Sequence, residues 1–150
     1  MTTVADILRS KGHGAIHSVA PSDTMLLALQ RMADQSIGAL LVLEGPGIAG
    51  IVTERDYARK IALHGRSSAS TTVGEVMTRK VHCVAPHQTS EECMSLMTTH
   101  RIRHLPVVDG HQQLLGLISI GDIVKEIISA QQFTIQQLEH YISGTPAVQP

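Results

Sequence analysis

An internal repeat places the strongest constraint on how this chain of 150 residues can fold. The segment IHSVAP at 16–21 matches VHCVAP at 81–86, a shift of 65 residues. Two further pairs of segments match in the same order: TVADIL (3–8) with TVGEVM (72–77), and GIVTERD (50–56) with GLISIGD (116–122). Because matches at a nearly fixed period indicate duplicated structural units, the sequence predicts two copies of one small unit.

Each copy predicts the same succession of helices and strands. A short first helix begins at a capping box, in which a Thr hydroxyl and an acidic side chain three residues later satisfy free backbone N–H groups. An extended stretch ending in Pro follows, then a longer helix, two strands around a turn, and a closing helix. The capping boxes are Thr3 with Asp6, Thr72 with Glu75, and Thr89 with Glu92; the longer helices are 24–35 and 89–100, and the closing helices 54–63 and 120–129.

The predicted organisation is a first repeat at 1–63, a polar linker at 64–72, a second repeat at 73–130, and a C-terminal helix and tail at 131–150. In the last segment, Thr134 and Gln137 have the spacing of a capping box, which predicts a separate helix over 133–142. A unit of roughly 60 residues cannot bury both faces of a small sheet by itself. We therefore predict an α/β (α+β) fold in which two pseudo-twofold βαββα repeats pack sheet to sheet and form two clefts.

Composition argues against several classes of function. The formal net charge is −1 without a run of Lys or Arg, so no nucleic-acid partner is expected. No apolar run reaches membrane-spanning length, and no nucleophile elbow or glycine-rich phosphate loop is present, so neither a membrane protein nor an enzyme is predicted. Cys83 and Cys93 give no disulfide framework; we expect two buried thiols in a reduced, cytoplasmic setting.

The ordered pattern of VAP stretch, helix, strand, turn and G-hydrophobic-hydrophobic-(S/T)-x-x-D resembles the cystathionine-β-synthase (CBS) domain. Two such units in tandem resemble a CBS pair, or Bateman module, over about residues 1–130. The resemblance implies a regulatory, signal-sensing module without catalysis that binds AMP, ADP or ATP, or sometimes NAD or S-adenosylmethionine, between the repeats. Apolar side chains on the C-terminal helix add the expectation of a homodimer, and a regulatory module implies an unidentified protein partner.

The strongest candidate site residues are Thr53 and Asp56 in the first repeat and Ser119 and Asp122 in the second. An Asp in the first turn of a helix that follows a strand can present its carboxylate to both ribose hydroxyls, a charge-assisted arrangement. The Thr or Ser hydroxyl lies at the same strand end and can reach ribose or phosphate. The alternative is simple N-terminal capping of the two helices.

By the resemblance, Arg103 and His104 reach the phosphate of the nucleotide whose ribose Asp56 holds. The matching positions of the first repeat are Gly38 and Ala39, so the two clefts are expected to differ. The alternative is a solvated Arg beside a histidine at a strand edge.

Further candidates surround these positions. Arg55 and Lys80 are candidate phosphate contacts, with exposed surface positions as the alternative. The resemblance also implies that the extended stretches line adenine, through Ile16, His17, Val81 and His82.

Two other functions stay open. The chain can be a constitutive oligomerisation scaffold with degenerate clefts, although a carboxylate in both copies argues against that. It can also be a metal-binding CBS protein. However, no His or Cys spacing here matches a helical HxxxH or a paired CxxC, so no metal ligand is assigned.

Overall fold

The computed structural model describes residues 1–12 and 16–144. Each repeat contributes a small sheet and its helices, in the order that the sequence predicts. The elements are α1 (Val4–Lys11), β1 (Ser18–Val19), α2 (Met25–Gln35), β2 (Ala39–Glu44), β3 (Gly47–Thr53), α3 (Glu54–Asp56), α4 (Val73–Val76), α5 (Ser90–His100), β4 (His104–Val108), β5 (Leu114–Ser119) and α6 (Ile120–Ser143). Helix α3 continues as a π-helical turn (Tyr57–Ile61) and a 3₁₀ turn (Ala62–His64).

The sheets repeat each other in detail. In the first, β1 is parallel to β2 and β2 is antiparallel to β3; in the second, β4 is antiparallel to β5, and an isolated parallel bridge from Val84 to Val107 replaces β1. Each antiparallel pair shifts register near the middle, after Val42 in β2 and after Val107 in β4. The matched irregularity shows that the repeat is structural as well as sequential.

The first helix of each copy packs against the core of the other copy. Val4 and Ile7 of α1 belong to the core around Leu105 and Ile118, whereas Val73 and Val76 of α4 belong to the core that β2 and α2 form. Backbone bonds secure this exchange, from Val4 N–H to the Gln88 carbonyl and from Met25 N–H to the Thr71 carbonyl. The two repeats are thereby interlocked.

Both faces of β2 are buried. Leu40 and Val42 point into the first core, and Leu41 on the opposite face is also inaccessible to solvent. Because helices cover one face of this sheet, the other is covered by the second repeat, which confirms the predicted pair of α/β repeats packed sheet to sheet.

Three local predictions were wrong. The helix predicted at 133–142 is the end of the single helix α6; Thr134 does not cap a new helix but donates to the Ala130 carbonyl within α6, since no Gly or Pro interrupts the segment. Glu92 does not complete a capping box, because its carboxylate accepts from the Gln88 side chain instead. Cys93 is buried as expected, but Cys83 is exposed.

Candidate functional site

Two clefts of similar size lie between the repeats. The Asp56 cleft has a volume of about 500 Å³, and the Asp122 cleft has a volume of about 490 Å³. Gly38 and His104 line both clefts, so they form the wall between them. In each repeat a backbone hydrogen bond joins the start of the closing helix to the residue just before a strand. Glu54 N–H donates to the Gly38 carbonyl, and Ile120 N–H donates to the Arg103 carbonyl.

Asp56 is buried at the floor of its cleft, with 6% of its surface exposed. Its Oδ2 accepts from the backbone N–H of Thr53 at 3.0 Å, which completes a capping box. Its Oδ1 pairs with Lys60 Nζ at 2.9 Å and accepts from the Thr78 hydroxyl at 3.3 Å. Asp56 therefore caps the helix, as the alternative explanation holds, and the same carboxylate also faces the cleft.

Asp122 repeats this arrangement with a lysine from elsewhere in the chain. Its Oδ2 accepts from the backbone N–H of Ser119 at 2.8 Å and from Lys11 Nζ at 2.9 Å, and Lys11 also donates to the Leu117 carbonyl at 2.7 Å. In the first repeat, Lys60 likewise donates to the Val76 carbonyl at 2.7 Å. Burial alone would raise the pKa of Asp122, but the Lys11 and Ser119 hydrogen bonds and the Lys11 charge lower it overall, so this carboxylate is ionised at neutral pH.

The two clefts differ in charge. Six basic side chains line the Asp56 cleft, against the carboxylates of Glu54 and Asp56. They are Arg55, Arg59, Lys60, Lys80, Arg101 and Arg103. Among the described residues of the Asp122 cleft, Lys11 is the one Arg or Lys, and it already pairs with Asp122. Excess positive charge suited to a phosphate is therefore concentrated in the Asp56 cleft.

Each candidate residue named from the sequence lines a cleft. Thr53, Asp56, Arg55, Lys80, Val81, His82, Arg103 and His104 line the Asp56 cleft, and Ile16, His17, Ser119 and Asp122 line the other, together with Gly38, Ala39 and the shared His104. Arg55 also spans the repeats, since its guanidinium donates to the Arg101 carbonyl at 3.5 Å.

Sequence reasoning missed both lysines that pair with the carboxylates. Lys60 could have been found, because it lies four residues after Asp56 and so on the same side of a helical turn. Lys11 had a signal too: the match of 3–8 with 72–77, extended by three residues, aligns Lys11 with Lys80.

His104 is held in its neutral form. Burial lowers its pKa, the charges of Lys11 and Arg103 lower it further, and Asp122 opposes them. In the same cleft, the ring of His82 stacks on that of His100 with the centroids 3.7 Å apart, and desolvation, His100 and Lys80 lower the pKa of His82. Both histidines are thus uncharged near neutral pH.

The depressed histidine pKa values predict a loss of stability in mild acid. An unfolded histidine takes up a proton near pH ~6.5, whereas folded His104 takes it up only at lower pH. Between these two values the unfolded chain binds more protons, so the free energy of unfolding is expected to fall as pH drops below about 6.5. Urea unfolding between pH 7.5 and 5 measures this. His104→Gln is expected to flatten the slope, and a slope as steep in this variant as in the wild-type chain would refute the explanation.

Within residues 1–12 and 16–144, no group of three or more His, Cys, Asp or Glu side chains is arranged to hold a metal ion. In the same ranges, the helices lack the combination of length and apolar character needed to cross a membrane.

Comparison with known proteins gives consistent matches. The family model for the CBS domain matches residues 4–63 and 73–129. The CBS domain-containing protein CBSX3, mitochondrial, of Arabidopsis thaliana is 41% identical over 95% of this chain and 73% of its own length. The solved structure of a protein with CBS domains from Burkholderia ambifaria MC40-6 has a TM-score of 0.82 and 56% identity, covering 89% of this chain and 99% of that one. A structure of CBSX2 in complex with AMP shares the fold, with a TM-score of 0.69 at 23% identity over 87% of this chain and 99% of that one.

Proposed function

Because the chain belongs to the CBS-domain family of regulatory proteins, we propose that it senses an adenosine nucleotide of the AMP type, bound in the Asp56 cleft. The observation that carries this proposal is the meeting of a buried carboxylate with six basic side chains in one cleft of nucleotide size. A ribose needs the carboxylate and a phosphate needs the cations; the Asp56 cleft offers both, whereas Lys11 of the Asp122 cleft already pairs with Asp122.

In the proposed complex, Asp56 accepts hydrogen bonds from the ribose hydroxyls, with Thr53 beside it. Arg103, His104, Arg55 and Lys80 contact the phosphate, and Val81 and His82 lie against adenine. Ribose displaces Lys60 from Asp56 Oδ1, which releases the lysine ammonium toward the phosphate. One displaced ion pair is thus replaced by two new charged contacts.

The Asp122 cleft is proposed as a weaker, second site. Ser119 and Asp122 face ribose there, with Ile16 and His17 toward the base, but the matching positions Gly38 and Ala39 offer no charge. A ligand with a different group beyond the ribose, such as the dinucleotide NAD, suits this cleft better than a monophosphate. Such a ligand also has to displace Lys11 from Asp122.

The proposed signalling depends on nucleotide contacts that come from both repeats. Asp56 belongs to the first repeat and Arg103 and His104 to the second, so a bound nucleotide bridges the repeats and favours one relative orientation. We propose that a homodimer, or an unidentified protein partner, responds to that orientation.

We propose the same division of the chain that the sequence predicts: repeats at 1–63 and 73–130, a linker at 64–72 and a C-terminal segment at 131–150. A cytoplasmic setting is also proposed, and the free thiols of Cys83 and Cys93 support it.

A thermal-shift screen of AMP, ADP, ATP, NAD, NADH and S-adenosylmethionine tests the proposal. A ligand that binds only the folded chain stabilises it by mass action, by about 2.7 kcal/mol at a hundred times its dissociation constant. We expect AMP to raise the melting temperature, and guanosine monophosphate serves as the matched control for phosphate and ribose.

One observation favours a second function. Lys60 and Lys11 already pair with the two carboxylates, so both carboxylates are satisfied without a ligand. If no compound of the screen shifts the transition, the chain is better described as a constitutive oligomerisation scaffold.

A further inference from the structure

Helix α6 continues far beyond the core that it helps to form. Its 24 residues span about 36 Å, but Ile123 and Ile127, which pack into the second core, both lie in its first third. From Gln131 onward its side chains are mostly exposed, including large apolar ones. A free helical segment of this length is marginal in water, since helices gain most of their stability from packing.

Five of the exposed apolar residues of α6, together with Gln131, form one continuous seam; exposed Phe133 and Tyr141 lie outside it. The seam is defined as Val124, Ile128, Gln131, Ile135, Leu138 and Ile142. Successive members are separated by four, three, four, three and four residues, which is the heptad spacing of a coiled coil. The five apolar members are 44% to 83% exposed, although a helix face of this composition is normally buried.

We propose that the seam pairs with the same seam of a second copy of the chain, in antiparallel orientation. This inference deepens the homodimer of the proposed function by assigning its geometry. In the antiparallel register each seam residue has a partner: Ile128 meets the partner's Leu138, Val124 meets the partner's Ile142, and Ile135 meets the partner's Gln131. Gln131 is the one polar member, and its position opposite the partner's Ile135 makes this layer the least stable one of the seam.

Charge selects the antiparallel orientation over the parallel one. In this register Lys125 lies beside the partner's Glu139, and the twofold axis repeats the pair, so two attractive contacts flank the seam. A parallel pair would place Lys125 and the partner's Glu139 about 21 Å apart and leave both unpaired. Within residues 1–12 and 16–144, neither side chain has an ion-pair partner in the single chain.

A shallow apolar groove at the start of α6 supports the same occupant. Ile120, Val124 and Ile128 line it, with the stem of Lys125 at its edge. In the antiparallel register the partner's Leu138 and Ile142, at the far end of its helix, lie over this groove. The apolar end of each helix is therefore covered by the apolar start of the other.

Charge reversal tests the pairing in the full-length chain. Lys125→Glu and Glu139→Lys alone each replace two attractions by two repulsions, and we expect each to raise the dimer dissociation constant about tenfold in low salt. The double variant K125E/E139K restores the attractions and is expected to return to wild-type association by sedimentation velocity. The control is Arg31→Glu, a charge reversal outside the seam. Lys60→Glu is unsuitable because Lys60 pairs with Asp56. Failure of the double variant to recover would overturn the antiparallel register.

Cysteine crosslinking distinguishes the two orientations directly. In a Cys83→Ser background, Ile128→Cys and Leu138→Cys are made as separate proteins. The antiparallel seam predicts disulfide dimers only when the two proteins are mixed, because like positions lie about 15 Å apart along the pair. A parallel seam predicts disulfides within each protein alone, and that result would overturn the proposal.

The oligomeric state separates this inference from the proposed function. A monomer at tens of micromolar would overturn both the seam and the homodimer, whereas nucleotide binding by that monomer would leave the Asp56 cleft proposal intact. A dimer that crosslinks only in the mixture, but ignores every nucleotide, would support the seam and count against the proposed function.

Discussion

Replacing Asp56 by alanine is expected to weaken AMP binding about a hundredfold. The carboxylate is the proposed acceptor for both ribose hydroxyls, and each charge-assisted hydrogen bond contributes about 1.5–3 kcal/mol. Part of that gain is spent in the wild type on displacing Lys60, so a net loss of about 2.7 kcal/mol, or two powers of ten, is the expected result. Adenosine is expected to lose as much affinity as AMP, because both carry the ribose.

Asp122→Ala is the matched control, because Asp122 occupies the same capping-box position at the start of α6. Each substitution removes the acidic half of a capping box and one lysine ion pair, and leaves the N-cap hydroxyl of Thr53 or Ser119 in place, so the two variants lose corresponding contacts. Calorimetric titration measures both. Only Asp56→Ala is expected to remove the tight AMP site; equal losses in the two variants would contradict the assignment of the site to the Asp56 cleft.

Replacing Gly50 by alanine is expected to destabilise the chain by about 3 kcal/mol. A Cβ at Gly50 would lie 2.7 Å from the Thr78 carbonyl oxygen, which is backbone and cannot simply rotate away. The neighbouring Ile51 exchanges both backbone hydrogen bonds with Thr78, so relief of the clash separates this bridge. Overpacking costs about 1–3 kcal/mol and each lost hydrogen bond about 1 kcal/mol.

The second repeat supplies a control for this substitution. At the matching Gly116, the nearest atom to an added Cβ is Leu8 Cδ2 at 2.8 Å, the end of a flexible side chain. Gly116→Ala is therefore expected to cost less than Gly50→Ala, and Gly110→Ala, with open space around it, to cost least. Urea denaturation ranks the three, and a Gly116 variant as unstable as the Gly50 variant would refute the argument. Since Thr78 also contacts Asp56, Gly50→Ala is expected to weaken AMP binding as well.

Much of the fold could be predicted because its determinants are local. The capping boxes at Thr3, Thr72 and Ser119 depend on residues three positions apart, and each box has a counterpart in the other repeat. The errors at Thr134 and Glu92 have the same origin, since spacing alone does not say whether a hydroxyl faces a free N–H or whether a closer partner, such as Gln88, takes the carboxylate.

The parts of the site that escaped prediction depend on distant segments. Lys11 reaches Asp122 across 111 residues, and α1 packs on the core of the other repeat, which no spacing within one repeat reveals. The charge imbalance was predicted from Arg103 and His104, but the structure adds Arg59, Lys60 and Arg101 to the Asp56 cleft. Arg59 and Lys60 lie in the π-helical turn after Asp56 and Arg101 is the C-cap residue of α5, so their meeting in one cleft depends on how the repeats pack.

Calorimetric titration of the wild-type chain with AMP tests the central claim most directly. We expect one tight site per chain and at most one weak site. Arg103→Ala is expected to weaken the tight site ten- to a hundredfold for AMP and far less for adenosine, because it removes a charge-assisted contact to phosphate alone. Two equivalent sites, or a tight site that Asp122→Ala removes and Arg103→Ala leaves unchanged, would contradict the account.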